Sequence, residues 1–117
     1  MTTRPYRTVK LIDARSTVGF SGNVFTNADD YSTITLSIQG NSFIGALSVV
    51  GTLDDNVNFG LPSSSTNSYV KLNTINLTDG NSTDGVITVT ALTQSQLHEV
   101  NASHIKSIAV IVDTVTS

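Results

Sequence analysis

The chain has 117 residues, 38% of them hydrophobic and 13% charged, with a formal net charge of −3. That length fits one domain able to bury a core without covalent staples. Cysteine is absent, which excludes disulfide scaffolds, thiolate zinc sites and cysteine nucleophiles together.

Thr (17), Ser (15) and Asn (10) dominate the composition, and with 13 Val and 9 Ile a third of the chain is β-branched. Such side chains have little χ1 freedom to lose on a pleated surface and fit helices poorly, so an all-β fold follows. Hydroxyls and amides replace Lys and Glu on the outside. Short side chains lose little entropy when covered, as suits a surface that meets another protein or a carbohydrate.

Arg4, Arg7, Lys10 and Arg15 open the chain, whereas from residue 16 onward only Lys71 and Lys106 face eight acidic groups. Residues 1–7 read as an extended basic arm, and 8–117 as the domain proper. Thr8–Ile12 and Val18–Phe20 read as short strands. Asn27-Ala28-Asp29-Asp30 is a turn cluster. In 32–39, Ile34, Leu36 and Ile38 alternate with Thr33, Thr35 and Ser37, the period of a strand with one buried and one wet face. Gly40-Asn41 turns the chain into Phe43–Thr52, with Phe43, Leu47 and Val49 facing inward and Gly45 and Gly51 marking bulges or close backbone contacts. Asp54-Asp55-Asn56 closes this strand.

Phe59–Ser68 reads as a polar, breaker-rich loop of the kind that carries recognition. Tyr69–Ile75 and Val86–Ala91 read as strands. Between them Asn76–Gly80 and Asn81–Gly85 repeat an Asp-Gly tight turn, because Gly accepts positive φ and Asp bonds nearby backbone. Thr93–Glu99 is expected to be one helical turn or an irregular crossover. Ile105–Val115 is apolar on both faces, so it is either central in its sheet or covered by a partner chain. Six to eight such strands predict a single antiparallel β-sandwich, jelly-roll-like or alternatively immunoglobulin-like, with a short N-terminal arm.

Candidate chemistry is sparse. His98, Glu99 and His104 have no spacing suited to a metal site, and surface histidines are expected. Asp79, Asn81, Thr83 and Asp84 begin like a calcium loop, but Asp84 stands where Gly is required and Thr90 where a bidentate Glu is required. Glu99 is the one glutamate, and the aspartates other than Asp13 and Asp113 lie in turns, so no carboxylate pair for glycoside hydrolysis is legible. Neither a nucleophile elbow nor a phosphate-cradling glycine loop occurs. No enzymatic activity and no cofactor are expected. The acidic body argues against nucleic acid, and the lack of a long apolar run against a membrane-spanning segment or a secretory signal. Tyr6, Tyr31, Tyr69, Phe20, Phe25, Phe43 and Phe59 could stack on sugar, though without tryptophan core packing is the expectation.

The run Ile34-Thr35-Leu36-Ser37-Ile38-Gln39-Gly40-x-x-Phe43-x-Gly45-x-x-x-Val49-x-Gly51-Thr52-x-Asp54-Asp55-Asn56 resembles a pattern in small β-sandwich structural proteins of tailed bacteriophages. The order of elements from Leu72 to Val112 is also similar. The sequence departs from that pattern in lacking the aromatic just after the acidic turn, where Asn58-Phe59 stand instead. The resemblance implies a virion protein assembled in the host cytoplasm. It would be a head decoration or cement protein binding the major capsid protein or another virion protein, with Arg4, Arg7, Lys10 and Arg15 as anchor. A homotrimer is expected, with Ile108, Ala109, Val110, Ile111 and Val112 at the subunit interface. The competing expectation is a fibre, neck or receptor-binding domain that recognises host surface glycan through Phe59, Ser63, Ser64, Asn67, Asp79, Asn81 and Asp84.

Overall fold

The computed structural model describes residues 18–20, 23–38, 44–54, 56–83, 85–90 and 96–115. The basic arm with Arg4, Arg7, Lys10 and Arg15, the expected strand Thr8–Ile12, Phe43 and Asp84 lie outside the described residues. Within them the strands are β1 (Gly19–Phe20), β2 (Phe25–Thr26), β3 (Thr33–Ile38), β4 (Ile44–Thr52), β5 (Val70–Lys71), β6 (Ile75–Asn76), β7 (Val86–Thr90), β8 (Gln96–Asn101) and β9 (Ser107–Val115). The turn cluster before β3 is a short 3-10 turn, Ala28–Asp30, entered through Asn27 in the left-handed region at φ 55°. Asn is among the few residues that tolerate that conformation.

Two antiparallel sheets pack face to face, so the chain is an all-β sandwich. In the six-stranded sheet β9 is central, pairing with β1 and β2 along one edge and with β4 along the other. β4 in turn pairs with β7 over Ile44–Ser48 and with β5 at Val50–Gly51. The second sheet has the order β3-β8-β6. Its Ile34, Leu36, Ile38 and Val100 meet Leu47, Val49, Ile87, Val89, Ile108, Val110 and Val112 of the larger sheet in one core. Alternation along β3 thus buries the face its sequence marks as apolar.

The apolar run of β9 is resolved within the chain. Ile108, Val110 and Val112 face the second sheet, while Ala109 and Ile111 face the other way, into a second cluster with Val50 and Phe59. Phe20, Val24, Val57 and Tyr69 complete that cluster. Residues 56–69 therefore lie over the outer face of the large sheet as a third layer, pinned by Phe59, which is 4% exposed. This corrects the expectation that Ile108–Val112 form a subunit interface. The strand is apolar on both faces because the chain itself covers both.

Two further expectations change. Gln96–Glu99 belongs to β8 and is extended, not a helical turn; pairing with β3 over six residues decides it. Tyr69–Ile75 is not one strand but a crossing, with β5 in the large sheet and β6 in the small one. Leu72 tucks beneath β4 during that crossing, and a Cβ on Gly51 would sit 2.7 Å from Leu72 Cδ1 and 2.9 Å from Ile105 Cγ2. Glycine at 51 thus permits the close approach. Between Ala46 and Leu47 the register with β9 shifts, leaving Asp113 as a bulge residue whose carboxylate accepts the Ser48 hydroxyl.

If Phe59 holds the third layer down, Phe59→Ala loses a buried ring and leaves a cavity, at a cost of about 3–5 kcal/mol. Urea unfolding should show this loss with an unchanged slope. A loss below about 1 kcal/mol would mean that the loop contributes little to the fold.

Candidate functional site

The loop expected to carry recognition uses its polar groups on itself. Asn67 Oδ1 accepts from Asn58 N at 2.7 Å, and its Nδ2 donates to Asn58 O at 2.9 Å and Pro62 O at 3.2 Å. Ser63 Oγ donates to Tyr69 O at 2.7 Å and accepts from Tyr69 N at 3.1 Å. Ser64 and Asn67 exchange backbone bonds of 3.1 and 3.2 Å. The Tyr69 hydroxyl donates to Leu61 O at 2.5 Å. Ser63 and Asn67 are thus fasteners of the third layer, and Phe59 is a core anchor packed on Phe20 and Tyr69 with ring centroids 5.8 and 5.3 Å away. Every described aromatic ring, these three with Phe25 and Tyr31, is buried or half-buried. None of them offers an exposed platform for sugar stacking.

The Asp-Gly turn at 76–80 is closed in the same way. Gly80, at φ 76°, donates to Asn76 O at 2.7 Å, Asn76 Oδ1 accepts from Thr78 N, and Asp79 Oδ1 accepts from Asn81 N at 2.9 Å. Thr83 Oγ1 turns inward, 2.8 Å from Thr74 Oγ1. Asp79 Oδ1 and Thr83 Oγ1, two of the oxygens that would begin a calcium loop, are therefore directed at backbone and at Thr74. Among the described residues no three His, Asp or Glu side chains gather as a metal-binding group.

His98 corrects another expectation. It is 2% exposed, on the inner face of β8, while its neighbour Glu99 points outward and His104 sits exposed on the following turn at φ 69°. Adjacent strand residues face opposite sides, so the trio cannot share one ligand. The imidazole is held by Thr74 Oγ1 at 3.2 Å from Nδ1 and Gln96 Oε1 at 3.1 Å from Nε2. The Gln96 carbonyl accepts from a protonated Nε2, and the Thr74 hydroxyl is placed to donate to an unprotonated Nδ1, a pairing that suits the neutral ring. Burial pushes its pKa below the ordinary 6.5, opposed by the Asp79 carboxylate.

Polar groups left without internal partners gather elsewhere, on the outer face of the three-stranded sheet. The register sets Thr35, Glu99 and Ile75 side by side across β3, β8 and β6, and a lone bridge adds Ser82 beyond Ile75. One step along, Thr33 faces Asn101, and Asn73, two residues before Ile75, brings a side-chain amide to the same cleft. Ser32 and Ser103 complete the lining of a concavity of about 620 Å³. Among the described residues, the side chains of Ser32, Thr33, Asn73, Ser82 and Glu99 make no hydrogen bond or ion pair. Asn101 Oδ1 accepts from Ser103 N at 3.0 Å, which orients its amide.

Comparison with protein-family models, with characterised proteins and with solved structures finds no match to this chain. The cleft escapes sequence reading because its residues come from four separated stretches, brought together only by strand register. The one local signal is the outward place of Glu99 between Val100 and His98.

The sign of the His98 shift fixes a pH dependence. With the folded pKa below the unfolded one, the unfolded chain binds more protons between them, so stability rises with pH across that window. The His98 contribution is complete above about pH 6.5 and is lost as pH falls toward the lowered folded value. Unfolding midpoints of the wild type and of His98→Gln, measured from about pH 8 to about pH 5, should converge on the acid side. A constant gap between them would refute the buried neutral histidine.

Proposed function

We propose that the chain is a non-catalytic structural protein of a tailed-phage particle, a decoration or cement protein that binds the head surface. The observation that carries this reading is the placement of exposed apolar side chains. Among the described residues, the most exposed large apolar side chains, Val18, Leu53, Leu61 and Val70 at 55% to 69%, belong to the six-stranded sheet, its flanks or the loop above it, whereas Ile75, Leu77 and Leu97, on or beside the smaller sheet, are 42% to 46% exposed. The basic segment with Arg4, Arg7, Lys10 and Arg15 leads into β1 on that same sheet. Scattered exposed apolar groups beside short hydroxyl side chains lose little entropy on being covered, which favours a wide, weakly charged contact. Cations ahead of an acidic body add attraction to an acidic lattice. In this reading the arm and the loop-covered side of the sandwich clamp adjacent coat subunits, adding apolar area at their junctions and slowing particle opening.

Co-sedimentation with purified undecorated heads tests the proposal. The full chain should saturate the heads at a fixed ratio. Deletion of residues 1–7 should weaken binding by about tenfold or more, equivalent to about 1.4 kcal/mol, with thermal unfolding unchanged. Unaltered binding after the deletion would remove the anchor role, and a chain that never sediments with heads would remove the decoration role.

A further inference from the structure

We propose that the cleft on the outer face of the three-stranded sheet is a binding site for a neutral saccharide, with Glu99 and Asn73 as its principal hydrogen-bonding groups and Ile75 as its apolar floor. Four physical observations lead there. The concavity, about 620 Å³, falls in the range of small-molecule sites, roughly 300–1,000 Å³. Its polar side chains are hydroxyls, amides and one carboxylate, a mixture that offers both donors and acceptors to a ligand dense in hydroxyl groups. Those of Ser32, Thr33, Asn73, Ser82 and Glu99 are also uncommitted, in contrast to Asn58, Ser63 and Asn67, whose bonds close on the chain itself. Finally, Ile75 is 44% exposed between Glu99 and Ser82. An aliphatic surface flanked by acceptors matches a sugar ring, whose C–H face is apolar and whose rim is hydroxylated.

Charge selects among saccharides. Glu99 is the one acid of the lining, and the body of the chain from residue 16 onward is acidic. A carboxylate accepts two ligand hydroxyls with charge-assisted strength, whereas a sialylated or sulfated sugar would meet a like charge at the same point. Glu99 stands without a second lining carboxylate, so the arrangement supports binding and not the paired-acid chemistry of glycoside hydrolysis. This site lies on the sheet opposite the one assigned to the head contact, and it stands or falls independently of that contact.

The test is an NMR titration of the full chain with chitotriose, lactose and 3′-sialyllactose as probes, without any phage head present. At least one neutral probe should move the backbone amides of Thr33, Ile75, Glu99 and Asn101, with a Kd of about 0.1–10 mM, as expected for a shallow single site. Sialyllactose should bind at least about tenfold more weakly than lactose, and Glu99→Gln should narrow that gap, because the amide keeps an acceptor and loses the charge. Asn73→Ala should weaken the neutral probe by about tenfold while leaving the unfolding midpoint in place. Silence of the cleft amides toward both neutral probes at about 50 mM would overturn the proposal. So would shifts confined to residues 56–69, or equal binding by Asn73→Ala.

Discussion

The ladder between β4 and β9 is the constraint from which the rest of the molecule follows. Its partners run from Gly45 opposite Val115 to Thr52 opposite Ser107, and both strands bury apolar side chains on both sides, Leu47 and Val49 against Val50 in one and Ile108 and Val110 against Ala109 in the other. A doubly apolar pair cannot face water on either surface, so it calls for a layer on each. The three-stranded sheet provides one, through Ile34, Leu36 and Val100. The other comes from an irregular segment, residues 56–69, that must be given the rigidity a strand would have by right. Asn67, Ser63 and the Tyr69 hydroxyl provide it by pairing the segment's backbone groups on its exposed side.

That demand divides the polar residues of the chain into two populations. Asn58, Ser63, Asn67 and Tyr69 are occupied in holding the third layer, and Thr74 and Thr83 in bonding to each other at the crossing from Leu72 to Ile75. Those on the wet face of the small sheet carry no such duty, and their donors and acceptors remain available to a ligand. The two flanks of the sandwich are consequently unlike in chemistry. One presents the most exposed apolar side chains beside a tightly bonded loop, and the other a shallow, hydroxylated concavity around Glu99 with Ile75, Leu77 and Leu97 on or beside its sheet.

Much of the architecture is legible in the residues. β3, β4, β7 and β9 announce themselves by β-branched content and alternation, and Val18–Phe20 by a short apolar run before a glycine. β8 hides because its alternation is inverted at the start: Leu97 is outside and His98 inside, where Thr74 and Gln96 satisfy the ring. Granting His98 an interior place restores the pattern, with Val100 and Ala102 following it inward. Residues 56–69 mislead for a related reason. Serine and asparagine have the same composition whether they address solvent or their own backbone, and only Phe59 and Tyr69 at the two ends mark a segment that folds inward. The cleft could not be read at all, since neighbours such as Thr33 and Asn101 become neighbours only through register.

The position of β9 along the chain also bears on how the molecule is made. Its partners in β1, β2 and β4 are synthesised long before it, and none of them has its central neighbour until Ser107–Val115 is available. Contacts of such sequence separation close slowly, because the entropy of ordering the intervening chain is lost before any pairing is gained. During translation β4 therefore waits as an apolar strand with an open edge, the state most prone to pair with a neighbouring nascent copy. The six-stranded sheet of such a chain is completed late, when β9 enters between β4 on one side and β1 and β2 on the other.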